Sequence, residues 1–455
     1  MALFLSLGNK RGTLSCKRAS SWNFTLLLSL SFSLLFVTYS CSNNKVSSES
    51  DIAVIDFVSG LNNPRIVDLS EIATDIEYIP LETTEESLIG RYPTVSIGNN
   101  RIYVVSGRKE VKIFDIKGNY LFTFNRTGRG PQEYLMAQWF KFDEESGDII
   151  VNAFTPGSAD MVFRINRYDS LGKFISSEQI VKIDSCFITM PIRINENLYL
   201  GAVPDISMNK PDFWIAAFQK NGQVVKKFSS PPFKQQDYLD KQAEMSLLPV
   251  DGNSVVPVFN LSPSLYLTGN YTRVFSRYLD TLYAIDSNLQ CTPEFIIDYG
   301  SIKADGTVPE GVKKGEGEYV KLDEKKYQEW RDNILLNYDL NGYAFDPYET
   351  SLNVRTRVIT VKHTDAYALF NKESAEFAFM KQPIKGKPGF NDNLKGGPPF
   401  IPQFITKDGN YAVSLLSAQE ILEHAATGQM KGEFAKIASK IDEMDNHVVV
   451  IVKLK

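Results

Sequence analysis

Histidine is almost missing from this chain, with three residues in 455: His363, His424 and His447. None stands beside a second histidine or a carboxylate at metal-ligand spacing, so each reads as structural, which argues against a zinc centre and a histidine-based hydrolase. Cysteine is nearly as scarce. Cys16, Cys41, Cys186 and Cys291 are the only four, and no CxxC pair suggests a metal site. GxSxG and a phosphate loop ending in Gly-Lys-Ser/Thr are also absent. The sequence therefore calls for no metal and no cofactor. The carboxylates Asp143, Glu144, Glu145 and Asp148 crowd around Gly147 but lack the alternating oxygens and distant bidentate Glu of a calcium loop. They read as a solvated turn. Basic residues are outnumbered, 49 against 54, and the net charge is −5, which disfavours nucleic acid as a partner.

The longest apolar run, Phe24 to Val37, is about 14 residues, too short for an ordinary membrane span. Lys10, Arg11, Lys17 and Arg18 precede it, so it reads as a secretory signal. Ser40-Cys41 follows at once, then a polar tail from Ser42 to Ser50. This resembles a bacterial lipoprotein cleavage box, with a lipid on Cys41 anchoring the protein to a membrane; the alternative is a plain signal peptide with an incidental cysteine. Cleavage there removes four of the basic residues and none of the acidic ones, leaving a more acidic mature chain. Cys186 and Cys291 then remain, either paired in an oxidising compartment or as separate core thiols.

What the chain does have is a repeated strand-turn-strand unit. Its best copy is Val111 to Tyr134, where Val111, Ile113, Phe114, Tyr120, Leu121, Phe122 and Phe124 put apolar side chains on both faces of their strands. Successive strand residues point to opposite faces, so such strands must be covered on both sides, as propeller blades are. Gly118 supplies the positive φ of the turn. Similar units centre on Gly172, Gly222, Asp286 and Asn371, and the first three turns lie roughly 50 residues apart, a spacing typical of repeat arrays. The reading is an all-β, six-bladed β-propeller over residues 51–455, after a signal peptide (1–40) and a tether (41–50). A first blade combines Ile76–Leu81 with Arg101–Ser106 and the best hairpin. Two insertions interrupt the ring. One, about 301–347, is a loop plus a helix carrying Tyr327, Trp330 and Ile334 on one face. The other, about 418–444, is helical, with Phe434, Ile437, Ile441 and Met444 as its apolar stripe. The terminal strand His447–Leu454 is too apolar to be an open edge, and pairing in one blade with Ile52–Val58 would close the ring.

Several stretches together resemble the six-bladed β-propeller lipoproteins of the Bacteroides group, which look related to NHL-type propellers. They are Tyr78-Ile79-Pro80-Leu81-Glu82-Thr83-Thr84, Phe114-Asp115 with Gly118, Gly128 to Tyr134, Asp280 to Tyr283 with Phe295 to Gly300, and Asp445 to Val448. The resemblance covers essentially the whole mature chain. It implies six blades and an outer-membrane lipoprotein, on the periplasmic side or the cell surface, and transfers no catalytic residue.

One loop stands out as a candidate ligand site. Gly128 and Gly130 let backbone N–H groups converge on an anion, with Arg126 and Arg129 adding charge and Glu133 and Tyr134 closing the loop. Equally, Glu133 can pair with an arginine and simply lock a blade-to-blade connection. Trp139, Trp214 and Trp330 offer faces for sugars or fill the spaces between blades. The function expected is a non-catalytic binding or scaffold module for a glycan, peptide or partner protein, with its site where inter-blade loops converge. The alternative is a propeller enzyme of lactonase, lyase or glycosidase type acting on an extracytoplasmic carbohydrate.

Overall fold

A computed structural model describes residues 52–155, 162–180, 188–202, 213–229, 246–251, 254–258, 263–277, 279–302, 318–354, 357–428, 430 and 432–455. The signal segment, Cys41 and Cys186 lie outside the described residues, and with Cys186 the question of its pairing with Cys291. Asp51–Lys455 makes up one compact unit.

The unit is a six-bladed β-propeller built from antiparallel sheets. Blade 1 (residues 94–125), blade 2 (136–180) and blade 3 (189–229) are four-stranded meanders. Blade 4 (264–298) adds a fifth, parallel strand, and blade 5 (321–379) is also five-stranded. Blade 6 (404–454) takes its outermost strand from the other end of the chain, Ala73–Pro80. The organising hairpin shows why the residues demand this arrangement. Val111, Ile113 and Phe114 are each 0% exposed. Phe114 packs on Val413, Leu415 and Val449 of blade 6, while Val111 and Ile113 pack on Ile149 and Val151 of blade 2. One strand thus serves two cores, and each such side chain contributes roughly 1.5–3 kcal/mol of burial.

The turns repeat one device. Asp115 Oδ1 accepts the N–H groups of Lys117 and Asn119, Asp169 those of Leu171 and Lys173, and Asp286 those of Asn288 and Gln290. Gly118, Gly172 and Gly222 take the left-handed conformation these turns need, and in blades 4 and 5 Leu289 and Ala375 occupy it without being glycine.

Three expectations change. The terminal strand Val448–Leu454 does pair within a blade, but its partners are Tyr411–Leu416 and Ala73–Pro80, both antiparallel. Ile76–Leu81 therefore belongs to the closing blade, and Ala73–Pro80 was the strand able to bury a face against Val448, Val450 and Val452. The earlier strand, Ala53–Asp56, instead runs parallel to Cys291–Asp298 of blade 4. Next, Tyr327, Trp330 and Ile334 are buried but not helical. Gln328–Trp330 and Asn333–Asp339 form a tight hairpin with Arg331 at positive φ. A strand apolar on both faces mimics helical spacing over so short a stretch. Finally, the second insertion is helical, as Ala418–Ala426 and Gly432–Ala438, yet Met444 stands 79% exposed beyond it.

The segment before the closing strand wraps the outer rim. Ala53–Asp56 covers the edge of blade 4, the helix α1 (Phe57–Asn62) lies on blade 5, and Arg65 and Asp68 bridge to Met380 and Asn391 before the chain enters blade 6. Phe57, 0% exposed, stacks among Tyr299, Tyr338, Phe377 and Phe379.

Candidate functional site

Antiparallel meanders send alternate connections to opposite ends of the ring, and the two ends differ. At the turn end, connections are short and capped by their own Asp and Asn side chains. Even a hollow of about 520 Å³ there is internally satisfied. Glu144 of blade 2 receives the Lys407 N–H of blade 6 at 2.9 Å, its backbone carbonyl takes the Asn99 N–H of blade 1 at 2.7 Å, and Arg101 donates to the Ser170 carbonyl. Asp143 caps the N–H groups of Glu145 and Ser146, and Asp148 pairs with Arg167 at 2.6 Å. The acidic cluster is thus a braced turn, and among the described residues no group of three His, Cys, Asp or Glu is placed to hold a metal.

The loop end carries the elaborations: the hairpin of Tyr348–Val354 and Arg357–His363, the helices α2 (Ala418–Ala426) and α3 (Gly432–Ala438), and the connection through residues 381–403. Between them lies a cleft of about 580 Å³. Blade 5 contributes Lys325, Lys326, Gln328 and Tyr367, blade 6 contributes Ser414 to Leu416, and Thr94 of blade 1 closes one side. Pro398, Pro399 and Pro402 form a wall that offers no backbone N–H. That wall is fixed by Asp392, 5% exposed, whose carboxylate accepts the Leu394, Lys395 and Gly397 N–H groups and the Tyr78 hydroxyl at 2.6 Å. A second hollow of about 720 Å³, lined by Tyr348, Lys362 and Lys385, adjoins the first across Lys387 and Glu423. Those two side chains pair at 3.0 Å, and Lys387 with Gln419 holds the Glu423 carboxyl below its usual range. Burial pushes the Tyr367 phenol up and the His424 imidazole down, the latter 3.4 Å from the Gly396 carbonyl.

These features can be set beside known proteins. The sequence matches DUF4934, a domain of unknown function, over residues 52–453. The chain belongs to that family. A solved protein of Bacteroides fragilis described as exported superposes with a TM-score of 0.59 at 14% identity, covering 88% of this chain and 99% of its own. A DUF4221 member from Bacteroides vulgatus has a TM-score of 0.48 at 14% identity, covering 87% and 99%. A virginiamycin B lyase of Staphylococcus aureus reaches only 0.31 at 9% identity, covering 70% and 77%. Likeness at these identities speaks for the propeller fold and not for chemistry, and the last two are too weak to argue from. No curated protein matches.

In this DUF4934 chain the glycine loop singled out by sequence also lies at the loop end, joining blade 1 to blade 2. Arg126 donates through Nε and Nη2 to the Gly172 carbonyl, at 3.0 and 2.8 Å. Glu133 accepts the Gly130 N–H at 2.8 Å and occupies the space that a Cβ on Gly128 would need. The converging N–H group thus meets a carboxylate of the loop itself. Tyr134 is 2% exposed, its hydroxyl donating to the Lys109 carbonyl at 2.7 Å, and burial pushes that phenol up. Arg129 is exposed. Trp330 is core, and Trp214 meets Tyr283 edge to face.

The cleft was not visible in sequence. Its residues come from positions 94, 325–328, 367, 384–403 and 414–427, without a shared motif. Only the Gly-Pro richness of 386–399 signals a loop there.

Proposed function

We propose that this DUF4934 protein is an exported binding or scaffold module whose loop end receives the ligand, held at the outer membrane by lipid on Cys41. One observation carries this reading: every long connection among the described residues leaves the ring at one end, where several of them enclose the cleft. Loops tolerate variation and carry function when a rigid scaffold positions them, and the capped turns at the other end supply that rigidity. A volume of about 580 Å³ is in the range of small-ligand pockets. Lys387 and Glu423 in its lining are engaged with each other, which suits recognition better than proton transfer. The description of the Bacteroides fragilis relative as exported, and the basic-apolar segment ending at Ser40-Cys41, support a place outside the cytoplasm, facing the periplasm or the cell surface. Among the described residues no helix is long and apolar enough to cross a membrane.

The test is thermal unfolding of the chain from Ser42 onward against oligosaccharides, peptides and divalent ions. A ligand at about 100 times its Kd adds roughly 2.7 kcal/mol of stability. A shift removed by Lys387→Glu supports the loop-end site. A shift untouched by that change, but removed by Glu144→Gln at the turn end, would sink it.

A further inference from the structure

The connections at the loop end expose large apolar side chains. Tyr92 is 91% exposed, Met444 79% and Leu88 51%. All three belong to loop-end connections, and they are held out rather than loosely hung. Asn446, 4% exposed, donates to the Glu82 and Ser87 carbonyls at 2.8 and 3.1 Å and accepts the Ile89 N–H at 3.0 Å. That clamp ties the Leu88 loop to the Met444 turn. Tyr92 sits at φ 53°, a left-handed conformation costly for a bulky residue. It leads through Pro93 into Thr94, which lines the cleft. Tyrosine and methionine are among the side chains enriched at protein-binding surfaces.

Charge adds the second half. Of the carboxylates lining the two hollows, Glu423 pairs with Lys387 at 3.0 Å, Glu420 accepts the Ser417 N–H at 2.8 Å, and Glu349 lies opposite Lys362 across the hairpin. Lys325, Lys362 and Lys385 line the two hollows and have no anionic partner among the described residues. Lysines outnumber carboxylates in the two linings, Lys325, Lys326, Lys362, Lys385 and Lys387 against Glu349, Glu420 and Glu423, so the excess there is positive, on a chain whose net charge is −5.

We infer that the loop end docks an acidic polypeptide segment, placing an apolar side chain against Leu88, Tyr92 and Met444 and its carboxylates against Lys325, Lys362 and Lys385. This rests on the reading of the loop end as a binding face and names its occupant. A hydroxyl-rich glycan fits less well. The proline wall has no N–H to give, leucine and methionine give only dispersion contacts, and the Tyr367 ring inside the cleft is 7% exposed.

The experiment uses the full chain in detergent and a phage-displayed library of random dodecapeptides, with selected sequences resynthesised and measured by fluorescence anisotropy. Enrichment of Asp and Glu around one apolar residue is expected. Tyr92→Ala and Lys325→Glu should each weaken binding about tenfold or more, as loss of an anchor does. Leu171→Ala, which removes a side chain 71% exposed at the turn end, should leave binding unchanged. No enrichment, basic rather than acidic consensus, or binding indifferent to both loop-end variants overturns the inference. An oligogalacturonate arm separates the two readings. If that acidic glycan binds and loses affinity in Lys325→Glu while no peptide does, the polypeptide falls and the loop-end face stands. If peptide binding is lost only in Leu171→Ala, both fall.

Discussion

Glu329 offers the sharpest test of what holds the ring together. Its side chain is 0% exposed between blades 4 and 5. It accepts from Arg273 Nε at 3.0 Å and Nη2 at 2.9 Å, from the Tyr271 hydroxyl at 2.7 Å and from the Tyr327 hydroxyl at 2.6 Å. Lys372 stands 3.3 Å away, and Arg273, also 0% exposed, reaches Glu294 at 2.9 Å. Burial works against the carboxylate, but Arg273, Lys372 and Tyr327 outweigh it, so the group titrates at about 2 rather than 4.5. A carboxyl depressed on folding stabilises the fold above its unfolded pKa, and that stability is lost as pH falls through the folded value. With about 1.36 kcal/mol per unit, the contribution at pH 7 is about 3 kcal/mol, present above about pH 5 and gone by about pH 2. Glu329→Gln keeps the volume, removes the charge and leaves Arg273 short of a counter-ion, so it should cost about 3–5 kcal/mol at neutral pH. Urea unfolding of wild type and variant at pH 7, 4 and 2.5 measures this. The gap between them should shrink steadily with acid. A neutral-pH cost below about 1 kcal/mol, or a gap that does not change with pH, would show that the network is not coupled to folding as described.

Smaller perturbations probe the other joints. Gly118→Ala should lower stability by more than about 2 kcal/mol, read by denaturant midpoint, because its turn sits at positive φ and the new Cβ would overlap the Pro80 carbonyl of the closing strand. Ala375→Gly should raise it by about 0.5 kcal/mol, since the exposed Ala375 holds φ 55° and relief of that conformation slightly exceeds the added chain entropy. Phe57→Ala should cost about 3–5 kcal/mol, and hydrogen exchange should then rise first in Cys291–Asp298 and Phe377–Phe379, the outer strands that the rim segment covers.

Local signals were legible and distant ones were not. The turns at Gly118, Gly172 and Gly222 could be read because an Asx cap and a positive-φ glycine are properties of a few adjacent residues. The double-sided burial of Val111, Ile113 and Phe114 was legible for a related reason, since apolar residues on both faces leave only a stacked sheet. Tyr327, Trp330 and Ile334 misled because that same double-sided pattern hides the period that separates strand from helix. The partner of the terminal strand could not be chosen from sequence, as Ile52–Val58 and Ile76–Leu81 are both short and β-prone. What decides it is which one lies opposite Val448–Leu454 once the ring is built. The cleft needs five separated stretches brought together, while the Gly128–Tyr134 loop announces itself in one. Conspicuous glycines there accommodate the Glu133 carboxylate, a contact within the loop.

Closure explains why the two ends of the ring can differ so much. The strand Ala73–Pro80 pairs with Val448–Leu454 across nearly the whole chain, so the last blade forms only when both ends have been gathered, at the entropic cost of a very long loop. That cost is offset at the rim and the turn end. There, Phe57 and the parallel strand Ala53–Asp56 fasten blades 4 and 5, while Glu144 and Arg101 tie neighbouring turns. Of these contacts, only that of Phe57 with Tyr299 reaches a connection at the loop end. Those connections are thus free to hold costly features such as the left-handed Tyr92 and the exposed Met444, because the stability of the ring is secured elsewhere.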